Sequence, residues 1–272
     1  MAARTLKLFA IVLVCSALVD ANTPSASSPI AVRYREGLVH GFLVLSTLDG
    51  EPLAHGDLTQ VSRGDRVTTH LVFRFKDGSV NDETTIFSQR GTFRLLNYRV
   101  EQKGPAFRDP LEMSIDSSSN RVTVHYTEDG KEKIANDQKR LPSDIANGLL
   151  FTLLKNIQPG QLPIKASMVV ATPKPRLVKL AINRQGEEAF TVGDSKLAAI
   201  HYVMKVEIGG VAGTIAPLVG KEPPDIHVWI LGGEAPVFVK SEGPLFAGGP
   251  IWRIEQTSPV WHSSVPARKE QN

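Results

Sequence analysis

The sequence contains almost no cysteine: of its 272 residues only Cys15 is one, and it lies in an apolar stretch near the N-terminus. A chain that loses this stretch on export has no cysteine at all, which excludes disulfide bonds and thiol catalysis in the mature protein. Such a protein must be held together by core burial, and 42% of its residues are hydrophobic.

Blocks of like charge are missing as well. The formal net charge is only +3, with 31 basic and 28 acidic residues mixed along the chain. The sequence therefore lacks the basic patch that is typical of nucleic-acid binding, and we predict no nucleic-acid partner. The long apolar run, residues 8–19, is too short to span a bilayer, so we also predict no transmembrane span after export.

The N-terminus has the features of a cleavable signal peptide. Arg4 and Lys7 precede the apolar run, and Ala21 ends it with a small residue, which predicts a signal peptide over residues 1–21. A lipoprotein signal is disfavoured because Val14, directly before Cys15, is not a small residue. We expect a periplasmic or secreted protein.

Composition divides the remaining chain into three parts. Residues 22–29 (NTPSASSP) predict a polar tether, residues 30–262 a single β-rich domain, and residues 263–272 a disordered tail. The β-rich part is not interrupted by a linker of proline, serine and glycine, which favours one continuous domain.

Short segments of alternating apolar and polar residues indicate antiparallel strands. In the first half they end at Asp49-Gly50, Asp77-Gly78 and Asp129-Gly130, and Asp-Gly after such a segment is typical of a hairpin. Residues 67–76 show one apolar face and one mostly polar face, as in a sheet with one solvated side. The pattern predicts a mainly β fold, a curved antiparallel sheet or a partly open barrel or sandwich. Six strands are predicted in the second half: Lys165–Ala171, Arg176–Asn183, Ala198–Ile208, Asp225–Leu231, Pro236–Lys240 and Ile251–Gln256.

One segment after the N-terminus has helical periodicity. Residues 141–157 (LPSDIANGLLFTLLKNI) predict an amphipathic helix that packs on the sheet, with Ser143 as N-cap and Pro159-Gly160 beyond its end. Gly148 inside this segment indicates a close backbone approach or a hinge. The apolar stripe consists of Ile145, Leu149, Leu150, Leu153, Leu154 and Ile157.

Residues 144–154, the strands that follow and the segments Val228-Trp229-Ile230 and Pro236-Val237 resemble the exported family called domain of unknown function 3108. The resemblance covers the C-terminal part of the chain. It implies a periplasmic, mostly antiparallel curved sheet, and it implies no activity that could be transferred to this chain.

Three short motifs suggest chemistry, and each has a simpler interpretation. Residues 193–197 (GDSKL) resemble the nucleophile motif of GDSL hydrolases, but their place between two predicted strands favours a turn over a catalytic Ser195. The acidic segment 77–83 lacks the spacing of a calcium loop and is interpreted as a hairpin turn. His227 shares a strand face with Asp225 and Trp229, so Asp225 and His227 form a candidate polar site. We predict no catalytic residue, no metal and no cofactor.

The aromatic residues near the C-terminus suggest a binding function. Such rings, packed against the helix, would either fill a core or line a cavity for an apolar ligand. The candidate ligand-binding residues are Leu149, Phe151, Leu153, Leu154, Trp229, Phe238 and Trp252.

Three functions remain open on the sequence alone. The first is an exported, non-catalytic protein that binds or carries an apolar ligand such as a lipid, which predicts a large internal cavity. The second is a structural or assembly factor of the cell envelope that acts through a protein partner, which predicts a filled core and an apolar surface patch. The third is a hydrolase of envelope polymers, which requires at least two titratable groups that converge in a cleft.

Overall fold

The computed structural model describes residues 29–107, 109–138, 140–192, 194–207 and 223–257, and these form one antiparallel sheet of 14 strands. The predicted signal peptide, most of the predicted tether and the predicted tail lie outside the described residues. The strands are β1 Val39–Ser46, β2 Pro52–Arg63, β3 Arg66–Phe75, β4 Val80–Arg90, β5 Thr92–Lys103, β6 Leu111–Asp116, β7 Arg121–Glu128, β8 Lys131–Gln138, β9 Ile164–Val170, β10 Arg176–Val192, β11 Ser195–Glu207, β12 Ile226–Leu231, β13 Val237–Pro244 and β14 Ile251–Thr257.

The sheet is a meander that is joined in its middle by its first and last strands. Consecutive strands pair with each other from β1 to β8 and again from β9 to β14. β1 also pairs with β14, which joins the two series into one sheet, and β8 and β9 form its two edges. The sheet is therefore open, with one half built from β1–β8 and the other from β9–β14. The predicted mainly β, antiparallel fold with a helix packed on the sheet is confirmed.

The Asp-Gly hairpins form where they were predicted. Asp129 and Gly130, with φ of +53° and +71°, connect β7 to β8, and two successive positive φ values are what a tight two-residue hairpin turn requires. By contrast, the strand predicted over Arg176–Asn183 is too short, because β10 continues to Val192. The register shifts between Arg184 and Gly186, so this site is a bulge within the single long strand β10.

The helix is shorter than predicted. Only α1, Leu150–Asn156, is helical, and the preceding residues pair with the edge strand β9 instead. Ala146 N–H donates to the Ser167 carbonyl, and the Asn147 side chain both donates to and accepts from the Val169 backbone. These bonds satisfy the polar groups of a sheet edge, and they outweigh a further two turns of helix.

The hydrophobic core lies between the concave face of the sheet and α1. Leu153 and Leu154 of α1 are buried there, and the Phe151 ring stacks on Phe238 of β13 at a centroid distance of 4.3 Å. Phe75 of β3 lies 5.4 Å from Trp252 of β14, so the same core joins both halves of the sheet. Within the described part of the chain, no helix has the length and hydrophobicity needed to cross a membrane.

Candidate functional site

A cavity of about 1810 Å³ lies between the concave face of the sheet and α1, and it is partly open to solvent. Packing voids in a well-packed protein seldom exceed the size of a water molecule. Ligand pockets for small molecules are typically about 300–1,000 Å³. The cavity is therefore a built feature of the fold, with room for a large ligand.

The cavity wall is mostly apolar because the strands that surround it alternate with their apolar residues toward the inside. Both halves of the sheet contribute, and so does the face of α1 that points away from the filled core. The apolar wall includes Leu43, Leu45, Leu58, Leu71, Phe73, Val100, Met113, Leu150, Phe151, Met168, Val206, Ile226, Phe238, Trp252 and Ile254.

One strip of the wall is polar, and it lies on the concave face of β4 and β5. Tyr98 Oη donates to Glu83 Oε2 at 3.1 Å, and Gln102 Nε2 donates to Asn81 Oδ1 at 2.9 Å. Thr85 completes this strip, directly opposite Tyr98 in the ladder. We call the five residues Asn81, Glu83, Thr85, Tyr98 and Gln102 the polar floor.

Glu83 is the charged centre of the polar floor. It is half-buried, its open surface faces the cavity, and burial raises its pKa to about 7, while the hydrogen bond from Tyr98 opposes that rise. Burial likewise raises the pKa of Tyr98. Among the described residues no cation pairs with Glu83. The residues directly opposite it, Leu71 on β3 and Val100 on β5, are apolar.

Gly148 allows the segment before α1 to lie directly against Thr85 of the polar floor. Its φ is +66°, and a Cβ built there would lie 1.8 Å from Thr85 Oγ1. Only glycine combines this backbone conformation with this contact. The close approach that the sequence suggested at this position is present, although Gly148 lies before α1 rather than inside it.

The cavity mouth is lined by charged residues, several of them paired. Lys155 of α1 lies 2.5 Å from the buried Glu36, and Asn156 Oδ1 accepts hydrogen bonds from the backbone N–H groups of Arg33 and Tyr34. The segment before β1 is thereby tied to the end of α1. Further residues at the mouth are Lys174, Arg176 and the exposed Glu234.

The structure separates the predicted ligand-binding residues into three groups. Phe151, Phe238 and Trp252 line the cavity. Leu149, Leu153 and Leu154 instead lie in the filled core beside it, with 1%, 6% and 1% of their surface exposed. Trp229 lies on the outer face of β12, because its neighbours Val228 and Ile230 point inward.

The predicted polar site also lies on the outer face. His227 Nδ1 is 2.9 Å from His201 Nε2, and His201 Nδ1 is 2.8 Å from a Glu188 carboxylate oxygen. Trp229 stacks on His201 at 4.3 Å, and Lys240 Nζ lies 3.9 Å from the Trp229 ring centroid. We call His201, His227, Trp229 and Lys240 the outer cluster.

Burial lowers the pKa of His201, more than the nearby Glu188 raises it, which favours a neutral ring. Asp225 is not part of this arrangement, since its carboxylate lies 3.5 Å from Lys205 Nζ. In the described ranges no three His, Cys, Asp or Glu side chains come together in a way that could hold a metal ion. Ser195 begins β11 directly after the turn at Asp194, and it is exposed.

Glu83, the charged centre of the site, was missed from sequence because it ends the acidic segment that was interpreted as a turn. The register of the hairpin between β3 and β4 could have revealed Glu83. The Asp77-Gly78 turn places Glu83 opposite Leu71 and Asn81 opposite Phe73, so both polar residues share the apolar face of β3. A carboxyl on such a face points into the interior.

Comparisons with models of protein families, with curated proteins and with solved structures give no match for this chain. Membership of the exported family named above therefore stays a prediction.

Proposed function

We propose that this protein binds an apolar ligand with a hydrocarbon chain, such as a lipid, in the cavity between the sheet and α1, and that it acts as a carrier without catalysing a reaction. The observation that carries the proposal is the cavity itself, about 1810 Å³ with a mostly apolar wall. A purely structural protein would be more stable with a filled core, because apolar surface that is not buried contributes nothing to the free energy of unfolding.

The free energy of such a cavity favours occupation. At about 30 Å³ for each water, the volume of 1810 Å³ corresponds to roughly 60 water molecules. Most of them would face leucine, phenylalanine and methionine side chains rather than hydrogen-bonding groups. A hydrocarbon chain that displaces this water gains about 25 cal/mol for each Å² of apolar surface removed from water.

The alternatives receive less support. A structural or assembly factor was expected to have a filled core, and this protein has a cavity. A hydrolase needs titratable groups that converge on a substrate. Glu83 and Tyr98 do converge, but burial raises the pKa of Tyr98 and so disfavours the phenolate that would act as a nucleophile. The histidines among the described residues are all absent from the cavity wall.

Export to the cell envelope is part of the proposal and rests on the predicted signal peptide over residues 1–21. A carrier in an aqueous compartment needs a site that shields a hydrocarbon chain from water and stays open for exchange. The partly open cavity meets both requirements.

Native mass spectrometry of the protein purified from an envelope fraction tests the proposal. We expect a stoichiometric adduct of lipid mass that is released by solvent extraction. In the variant Leu71→Trp, whose larger side chain projects into the cavity, the adduct should become less abundant. The matched control is Val61→Trp, since Val61 is 41% exposed and lies on the outer face of β2. A bare polypeptide mass, also after incubation with envelope lipids, would contradict the proposal.

A further inference from the structure

The polar floor raises a question that an apolar ligand alone does not answer. A wall that served only to hold hydrocarbon would be apolar throughout, because a carboxyl in such a place loses its hydration. Glu83 nevertheless lies in the middle of the cavity wall, between Leu71 and Val100. Its presence there calls for a partner that satisfies it.

The protein satisfies Glu83 only in part. Tyr98 donates one hydrogen bond to Oε2, and the structure shows no further donor to either carboxylate oxygen within the described ranges. A carboxylate has about four acceptor positions, so most of its capacity remains free.

The charged groups that line the cavity elsewhere do not neutralise Glu83. Lys155 of α1 pairs with Glu36, and the Arg33 guanidinium donates to the Ile157 carbonyl and lies over the Tyr34 ring. Lys174 and Arg176 belong to the mouth, and neither contributes to the electrostatics of Glu83, whose pKa responds only to burial and to Tyr98. Among the described residues, therefore, no cation neutralises Glu83.

We propose that Glu83 and Tyr98 bind the ammonium group of a cationic amphiphile, a long-chain amine whose hydrocarbon chain occupies the apolar part of the cavity. This inference rests on the proposed function and adds the chemical class of the ligand. An ammonium has three N–H donors and a positive charge, which match the free acceptor positions of Glu83. In an apolar cavity such a charge-assisted hydrogen bond is stronger than it is in water.

The test compares three probes with the same chain and different head groups: dodecylamine, dodecan-1-ol and dodecanoate. Titration calorimetry at pH 8, where Glu83 is ionised and the amine is still protonated, should show dodecylamine binding about tenfold or more tighter than dodecan-1-ol. Glu83→Gln should abolish this preference, because it keeps the size of the side chain and removes its charge. The control Glu234→Gln removes a carboxylate at the cavity mouth, and it should leave the preference intact.

The wild-type protein provides a second readout that needs no variant. Glu83 becomes neutral below pH 7, whereas an alkyl ammonium stays charged up to a pH of about 10. The ratio of the affinities for dodecylamine and dodecan-1-ol should therefore fall from pH 8 to pH 5. No other titratable side chain faces Glu83 from the described parts of β3, β5 or α1 except Tyr98, which stays protonated over this range.

The outcomes separate the two proposals. Equal binding of all three probes, or tighter binding of dodecanoate through Lys174 and Arg176 at the mouth, would overturn the amine inference and leave the proposed function standing. Binding of none of the three would overturn both. A preference for the amine that survives in Glu83→Gln would also overturn the inference.

Discussion

The polar floor and the outer cluster are two groups of polar and aromatic side chains on opposite faces of one sheet, and they differ in how their charges are paired. In the outer cluster His201 faces both Glu188 and His227, and Lys240 lies over Trp229. In the polar floor Glu83 has one hydrogen bond and no cation among the described residues. The buried Trp229 Nε1 of the outer cluster lacks an acceptor, but the charged groups there face partners, whereas the carboxyl of Glu83 inside the cavity faces no cation of the described residues. The difference indicates which of the two sites binds.

The first way to disturb this arrangement is to lift the segment that covers the polar floor. Gly148→Ala should lower the free energy of unfolding by about 3 kcal/mol or more. The new Cβ would both clash with Thr85 and strain a backbone whose φ is positive. The control Gly130→Ala has a similar φ and no atom within 4 Å, so it should cost only about 1 kcal/mol. Urea denaturation measures both, and equal losses would show that Gly148 is not held against the floor.

The pH dependence of stability tests the environment of Glu83, because the fold opposes the ionisation of this half-buried carboxyl. Its pKa is about 7 in the folded protein against 4.5 in the unfolded chain, so the native state binds the extra proton between these values. The wild-type protein should therefore lose stability, by at most about 3 kcal/mol, as the pH rises from 4.5 through 7. Below pH 4.5 this contribution is fully present.

Glu83→Gln provides the control for that prediction, since glutamine does not titrate. The difference in the free energy of unfolding between this variant and wild type should change with pH between 4.5 and 7. A difference that stays constant from pH 4 to pH 8 in ligand-free protein would mean that Glu83 is solvated like a surface residue.

The smallest effects are expected at the outer cluster. Lys240→Met removes the cation above the Trp229 ring and should cost about 0.5–1 kcal/mol of stability. His227→Gln removes the partner of His201 with a similar cost. Neither variant should change the affinity for dodecylamine by more than about twofold, and a larger change in calorimetry would show that the outer cluster takes part in binding.

Much of the fold was predictable from sequence because the core-facing positions of most strands are apolar. Strand β3 lies close to its predicted position at residues 67–76, since its residues alternate cleanly. Strand β4 gave no such signal. Its inward positions include Asn81, Glu83 and Thr85, because a cavity wall, unlike a packed core, tolerates polar side chains.

The helix prediction failed at its first half for a reason that lies outside the segment. The apolar stripe of residues 141–157 is present. Residues 144–147, however, pair with the edge of β9, a strand that lies further along the chain and comes next to them only in the folded protein. Periodicity reports which residues are buried, and it does not report which backbone groups pair with another strand.

The candidate site was predictable in its aromatic part only. Phe151, Phe238 and Trp252 line the cavity, whereas Trp229 does not. The sequence already placed Trp229 on one strand face with His227, and that face could not be both a polar surface and the cavity wall. The pairing of β1 with β14, which forms one sheet from both halves, joins residues some 200 positions apart and has no local signal.

Site-resolved fluorescence quenching is the most direct test that the ligand occupies this cavity. A dodecanol that carries bromine at the end of its chain quenches a tryptophan only at close range. We would compare a variant that retains only Trp252, in the cavity wall, with one that retains only Trp229, on the outer face. We expect saturable quenching of Trp252 and none of Trp229. Quenching of Trp229 alone, or none of Trp252 at any concentration, would contradict it.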